Sequence, residues 1–443
     1  MTPASASRDA GTGERDWPSA RLAWTTLSIV LIGVVCSFTD RQLLSLVIDP
    51  VRADLATSDF QAGILQGLAF SLVYALAAIP MGRLADRWSR RNLLIAGITL
   101  WSIATVGCGF APSFAAMVVT RALVGLGEAT VAPVAVSMIA DLFPPRRRGL
   151  ATGALLMAMM VGLGSALTIG GLILAYAQGG GFASIPVVGA LAPWRQMFVV
   201  AGACGAIVVL LLTLVPEPAR RNAVADGAGN PGIRTILRYP ATLLVVVAAA
   251  MCAIGDYTIM AWVPALLIRK FGMSAPEIGA SLGLAVIVAA VASPLIMGVI
   301  GDRVMKGSLS ARFLLSATLM TLATGIFLLG VTDRADVVIF LSGAWMFCSV
   351  AALSSAMTAM QEITPSRLRG TASALIAFGS AVVGLGIGTA IVGALSDHVF
   401  TGPGAIGTSV AVTSAFAAVS AAALFWKLWF DERRGRIASL EAH

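Results

Sequence analysis

The sequence predicts an all-α membrane protein, with about twelve transmembrane helices in two similar six-helix halves. Three observations predict it. Apolar residues make up 58% of the 443-residue chain and charged residues only 12%, with a mean hydropathy of +0.89; a soluble domain carries about 25% charged residues. Apolar runs long enough to cross a hydrocarbon core of about 30 Å, roughly 20 residues each, recur along the chain. The later runs also repeat motifs of the earlier ones at a nearly constant offset.

Taken in order, the runs lie near 22–47, 60–81, 93–111, 114–140, 150–177 and 195–215, then near 241–268, 277–300, 312–332, 336–360, 370–396 and 408–429. This gives a polar tail over 1–21, an N-terminal six-helix half over 22–215, a linker over 216–240, a second six-helix half over 241–429 and a tail over 430–443. The linker is rich in Pro, Gly, Ala and Arg, a composition that breaks helices and fits a connector. The tail at 1–21 has no apolar core of the signal-peptide kind, so the first run is expected to act as its own insertion signal. The Gly-rich stretch 178–194 reads as a loop between two spans.

The net charge of +8 would suggest nucleic acid on a soluble chain. Here the positions of the charges point elsewhere. Arg83, Arg87, Arg90 and Arg91, then Arg146, Arg147 and Arg148, fall in alternate short loops, as do later clusters at Arg220, Arg303, Arg367 and Arg433. The intervening loops hold few basic residues. Such alternation is the positive-inside pattern. It places both termini in the cytoplasm of a bacterial cell and the chain in its inner (plasma) membrane. The five cysteines all lie in apolar runs without a CxxC pair and read as packing residues.

The repeat is specific. Gly82-Arg-Leu-Ala-Asp86-Arg87 is echoed by Gly298-Val-Ile-Gly-Asp302-Arg303, and Asp40 by Asp256, both at an offset of 216 (302 − 86 and 256 − 40). Pro144-Pro-Arg-Arg-Arg-Gly149 returns as Pro365-Ser-Arg-Leu-Arg-Gly370, and Val161-Gly-Leu-Gly164 as Val383-Gly-Leu-Gly386. Ordered matches of this kind mark a duplicated unit. Facing repeats are how many transporters build a site near the membrane midplane.

GRLADRWSRRN (82–92) resembles the loop 2–3 signature of the major facilitator superfamily, and VTRALVGLGEA (119–129) resembles its span 4 signature. The resemblance runs through nearly the whole chain and implies the major facilitator fold. FTDRQ (38–42), LADRWSRRN (84–92), LWS (100–102), RALVGLGEA (121–129) and IADLFPPRRRG (139–149) look most like the Spinster-like branch. That branch includes lysophospholipid and sphingosine-phosphate exporters. The anion:cation symporters of sugar acids share the span 1 Asp-Arg pair and the span 4 Arg…Glu. Ser89 stands where most of the superfamily has Gly, and the span 5 Gly-Pro signature of drug:proton antiporters is absent.

Five ionisable residues lie inside spans: Asp40, Arg41, Arg121, Glu128 and Asp256. Each costs about 2.5–3.5 kcal/mol at a helix centre, on the order of 10 kcal/mol together if unpaired. Arg121 and Glu128 are seven residues apart, about 10 Å along one helix, so their partners come from other spans, Asp40 first. An apolar setting favours a protonated acid and a nearby arginine an ionised one. An acid that gains and loses an arginine between two conformations therefore binds and releases a proton. By resemblance, Asp40 and Glu128 match acids tied to protonation and Arg121 the arginine that switches between them. A fixed ion-pair network between spans 1 and 4 is the competing reading, and it applies with more force to Arg41 and to Asp256, whose neighbour Tyr257 has no counterpart in span 1.

The loop motifs read as a latch. Gly82 and Gly298 would allow close helix approach, and Asp86 would sit at the N-terminal end of the helix beginning near Thr371. Arg87, Arg90 and Arg91 would pair with acids across the halves, among them Asp141; Asp302 and Arg303 would repeat the device. The chain has no asparagine within a span, and His398 and His443 lie outside the expected cavity. A cavity so poor in amide and imidazole groups suits an amphipathic cargo. Its polar head would meet Arg121 and Arg41, with Gln66, Tyr74 and Tyr257 nearby, and its tail would meet Met157, Met159, Met160 and Trp262. Ordinary helix packing is the alternative for the methionines. A sugar acid or other organic anion is the second cargo class, and a transporter-like receptor the remote one. No metal-spaced His/Cys set, nucleophile–base arrangement or ATP motif is present, so no enzyme activity, cofactor or metal is expected. The expected partners are the small-molecule or lipid-like substrate, protons and membrane lipids, with the chain a monomer.

Overall fold

The computed structural model describes residues 17–220, 233–303, 308–402 and 404–437. The side chains of Asp302 and Arg303, and the surroundings of Gly298, lie outside the described residues, as do parts of the tails and of the 216–240 linker.

Among the described residues, twelve helices are long and apolar enough to span a bilayer. They are α1 (Ala20–Leu46), α2 (Asp59–Arg87), α3 (Arg90–Phe110), α4 (Phe114–Leu142), α5 (Pro145–Gln178) and α6 (Pro193–Thr213), then α7 (Pro240–Phe271), α8 (Ala275–Met297), α9 (Leu309–Gly330), α10 (Ala335–Ile363), α11 (Leu368–His398) and α12 (Ala405–Arg433). The sequence marks where they start. Ser19, Ser89, Ser113 and Ser308 accept a backbone N–H of the first turn through their hydroxyls, Ser58 forms a capping box with Gln61, and proline opens α5, α6 and α7.

Several spans are irregular within their length, among them α8, a π-helix over Gly279–Gly283. α2 breaks at Gly67, between Gln66 and Leu68, where an added Cβ would lie 2.1 Å from the carbonyl oxygen of Leu385 on α11. α4 breaks directly after Glu128 and resumes at Val131. α11 runs as a π-helix over Ser380–Gly388. Such interruptions free backbone groups and re-aim side chains, and in membrane transporters they lie at binding sites.

The halves meet at the end away from the termini. There α2 packs on α11, and α5 on α8; Thr389 Oγ1 donates to the Gly63 carbonyl and Thr168 Oγ1 to that of Gly279. At the termini end no such close approach is seen at Gly149, Gly153 or Gly370, where a Cβ would touch nothing within 4 Å. The molecule is therefore closed at one end and open at the other.

Candidate functional site

In the interior of the first half lies a buried polar cluster built by α1, α2, α3 and α4. Arg41 and Glu128 form an ion pair at 2.8 Å, with side chains 6% and 0% exposed. Arg121, fully buried, donates from Nη2 to the Arg41 carbonyl at 3.3 Å. Asp40 accepts at Oδ2 from the Thr105 hydroxyl of α3 and lies within electrostatic reach of both Arg121 and Glu128. Asp40 Oδ1, Glu128 Oε1 and Arg121 Nε and Nη1 have no hydrogen-bond partner among the described residues. With Arg41 Nε, two carboxylate oxygens and three guanidinium nitrogens are thus left unbonded within one buried cluster. An unpaired buried polar group costs about 1–3 kcal/mol, more when charged, so this arrangement favours re-pairing or a ligand.

The helices position these groups by close packing. A Cβ on Gly125 would lie 2.5 Å from the Phe70 carbonyl oxygen of α2, and one on Gly127 2.6 Å from that of Gly97 on α3. The two glycines let α4 press against both neighbours and carry Arg121 and Glu128 into the interior.

Arg41 is also enclosed by rings. Its guanidinium carbon lies 4.6 Å from the ring centres of Phe38 and Phe70 and 4.9 Å from that of Tyr74, a cation–π setting. Tyr257 of the second half packs against the core of the first and lies within electrostatic reach of the same guanidinium. Glu128 is paired with Arg41 in this structure, not with Arg121. Gln66, 4% exposed at the break in α2, has neither end of its amide bonded. Asp256 accepts from Trp345 Nε1 at 2.8 Å and stays within its own half. Met157 is 53% exposed on the open end of α5.

Some sequence expectations need correction. Trp262 is a core residue: it is fully buried and donates to the Thr389 carbonyl of the same half at 3.0 Å. Gly82 brings no helices together, since a Cβ there meets nothing within 4 Å. Asp86 and Arg87 are exposed, and the side chains at 366 and 367, at the start of the helix expected to receive Asp86, lie outside the described residues. Arg90 does pair with Asp141, but Asp141 lies on α4 of the same half.

The loop 2–3 motif is engaged by a segment whose part in it sequence reasoning missed, the stretch 216–220 after α6. Glu217 accepts from the backbone N–H of Arg90 (3.2 Å) and Arg91 (2.8 Å), from Ser89 Oγ (2.7 Å) and from Arg90 Nε (3.0 Å). It caps the start of α3. Burial disfavours its charge, yet these donors outweigh burial and hold its carboxyl below the usual range. Arg220 donates to the carbonyls of Ala85, Asp86 and Trp88 at the end of α2. An acid at a helix start and a base at a helix end both complement the helix dipoles.

The closed end carries an inter-half network that sequence reasoning also missed. Arg269 of α7 bonds both Asp49 and Asp59, with Nη2 to Asp59 Oδ1 at 2.9 Å and Nε to Asp49 Oδ1 at 2.7 Å. Arg52 adds a contact to Asp59 at 2.9 Å. Asp397 of α11 accepts from the backbone N–H of Asp59 (3.1 Å) and Phe60 (2.7 Å), capping α2 from the other half. The only sequence signal was an acid-rich loop at 49–59 facing the Arg269-Lys270 pair.

The family model described as Major Facilitator Superfamily matches residues 30–389. The chain is 30% identical over 437 residues to an MFS-type efflux pump of Mycolicibacterium smegmatis, covering 96% of each. It is 28% identical over 259 residues to the mouse protein spinster homolog 1, covering 55% of this chain and 46% of that one. A crystal structure of a bacterial homolog to the human lysosomal transporter Spinster, inward-facing and unoccupied, matches with a TM-score of 0.80 at 23% identity, over 94% of this chain and 99% of that one. With twelve spans among the described residues, in two halves, and a family match over most of its length, the chain belongs to the major facilitator superfamily, a family of transporters and not of enzymes.

Proposed function

We propose that the chain is a proton-coupled secondary transporter that moves an amphipathic small molecule of lysolipid type across the bacterial inner membrane by alternating access. The observation that carries this reading is the buried cluster of Asp40, Arg41, Arg121 and Glu128 with its unbonded oxygens and nitrogens. Two acids and two arginines within reach of one another permit more than one pairing, and each exchange of partners alters an acid's hold on its proton. Asp256, bonded to Trp345 in the second half, is the further candidate for a proton site. The positive-inside pattern sets the termini end in the cytoplasm, so the structure is read as inward-open. The network around Arg269 then closes the far side, and Gly82, Asp86 and Arg87, with Gly298, Asp302 and Arg303, form a cytoplasmic latch that engages only when the inner side shuts.

Cargo would enter from the open end. Its polar head would meet Arg121 and Gln66, with Tyr74 and Tyr257 beside Arg41, and its chain would lie along Met157. The unbonded nitrogens of Arg121 favour an anionic group on the cargo, which also keeps a sugar acid or similar organic anion as the second reading. The test is uptake and efflux in proteoliposomes with and without an imposed pH gradient, comparing lysophospholipids with sugar acids. Transport of a lysophospholipid that follows the gradient supports the first reading. Gradient-driven movement of sugar acids alone replaces it with the second, and transport indifferent to the gradient removes proton coupling.

A further inference from the structure

At the termini end, beside the start of α1, lies a cavity of about 800 Å³ walled by the end of α4 and the start of α5. Trp17, Ser19, Ala23, Phe143, Arg146 and Arg147 line it. It lies apart from the transport cluster, in the outer flank of the first half.

The arginines of this region differ in how they are used. Arg90 is held by Asp141 and Glu217, Arg148 by the carbonyls of Ala140 and Phe143, and Arg220 by three carbonyls of the 2–3 turn. The guanidinium groups of Arg146 and Arg147 bond to nothing among the described residues, and both are exposed at the cavity. They stand on the first turn of a 34-residue helix that has no side-chain cap, so the positive end of its dipole adds to their charge. The inner wall is apolar: Ala20, Ala23, Leu142 and Phe143, with Trp24 stacked edge-on against Phe143 at 4.9 Å. Trp17 stands at the rim, 5.8 Å from the Arg148 guanidinium carbon, as tryptophans do at the level of lipid headgroups.

We propose that this cavity binds the headgroup of an anionic phospholipid, with Arg146 and Arg147 on the phosphodiester and one acyl chain along Ala23 and Phe143. The charges alone would suit any phosphate. The apolar wall, and the position where α1, α4 and α5 leave the bilayer, commit the site to a lipid. Basic pockets at this level on the cytoplasmic side take such headgroups, and arginine matches phosphate through paired N–H donors.

The test uses the full-length chain, delipidated in detergent and titrated with phosphatidylglycerol or phosphatidylcholine under native mass spectrometry. Phosphatidylglycerol should be retained in preference to phosphatidylcholine, and Arg146→Gln/Arg147→Gln should weaken its binding about tenfold or more. The control, Arg433→Gln/Arg434→Gln, removes the same charge at the same end of the other half and should leave binding unchanged. Brominated phosphatidylglycerol should quench a fluorescence component that Trp17→Phe removes. Equal loss in the control variant would mean general surface charge and overturn the site. Full competition by glycerol phosphate would assign the cavity to a soluble phosphate and overturn the lipid. Neither readout depends on transport, so the site and the proposed function fail separately.

Discussion

Arg41 holds Glu128 at 2.8 Å inside a ring of Phe38, Phe70 and Tyr74, where neither charge is more than 6% exposed. The two residues come from different helices, α1 and α4. Their pairing leaves Arg121, the arginine that shares a helix with Glu128, bonded only to a backbone carbonyl.

Removing one member of this pair strands the other. Arg41→Gln should lower stability by roughly 3–5 kcal/mol, the usual cost of leaving a buried charge alone. Arg41→Leu combined with Glu128→Leu should cost much less, because no charge is then left unpaired. Thermal unfolding in mild detergent gives the comparison. A double variant no more stable than the single would show that Arg121, not Arg41, neutralises Glu128.

At the closed end, Arg269→Gln removes the cation between Asp49 and Asp59 and leaves two acids side by side. The far gate should open more often. Spin labels at Ser184 and Thr401, on loops of opposite halves at that end, should report a longer-distance population that grows in the variant. Asp397→Asn should shift it in the same direction but less, since an asparagine oxygen still accepts from the start of α2. An unchanged distance distribution in Arg269→Gln would leave the network without a gating role.

Glu217 makes the hold on loop 2–3 dependent on pH. Its folded-state carboxyl is more acidic than in an unfolded chain. Its contribution is therefore fully present above the ordinary glutamate value and is lost as pH falls through the lower, folded one. The unfolding temperature of the wild-type protein should fall over that acid window, and Glu217→Gln should lower the neutral-pH value and flatten that part of the curve. Parallel curves for the two proteins would mean the carboxylate contributes nothing.

Much of this was legible in the sequence, because a bilayer imposes length and apolarity on every span. The run predicted near 114–140 is α4 at Phe114–Leu142, and that near 336–360 is α10 at Ala335–Ile363. Buried charges were legible for the same reason: Asp40, Arg41, Arg121 and Glu128 stand out in apolar runs. Pairing was not, since spacing along one helix says nothing of rotation between helices; hence Glu128 meets Arg41. Trp262 looked like a cavity residue because aromatic residues fill cores as well as cavities; its ring is fully buried and its Nε1 donates to the Thr389 carbonyl. The strap at 216–220 was hidden because Glu217 and Arg220 work through backbone groups of a distant turn, which no side-chain pattern encodes.

A further expectation concerns topology. Cysteine-accessibility tagging should find the 143–149 and 216–238 segments cytoplasmic and the 178–194 segment on the far side. A far-side 216–238 segment would reverse the assignment of the open end.

The last prediction concerns coupling. Asp40 and Glu128 each keep one carboxylate oxygen without a hydrogen-bond partner, and Arg121 keeps two nitrogens in the same state. If the cluster couples protons to cargo, neutralising either acid removes a proton site while preserving shape. Asp40→Asn and Glu128→Gln should then abolish transport driven by a pH gradient in proteoliposomes, while cargo exchange without a gradient persists. Thr105→Val should act on Asp40 alone: it removes the hydroxyl donor to Oδ2, so the pH midpoint of transport should move while the maximal rate is largely kept. Arg121→Ala should be the most damaging, since it removes the one fully buried arginine beside both acids. Retention of gradient-driven transport with wild-type pH dependence in both Asp40→Asn and Glu128→Gln would make the cluster a fixed support between α1 and α4. Asp256 would then be the acid to test next, with Trp345→Phe removing its donor.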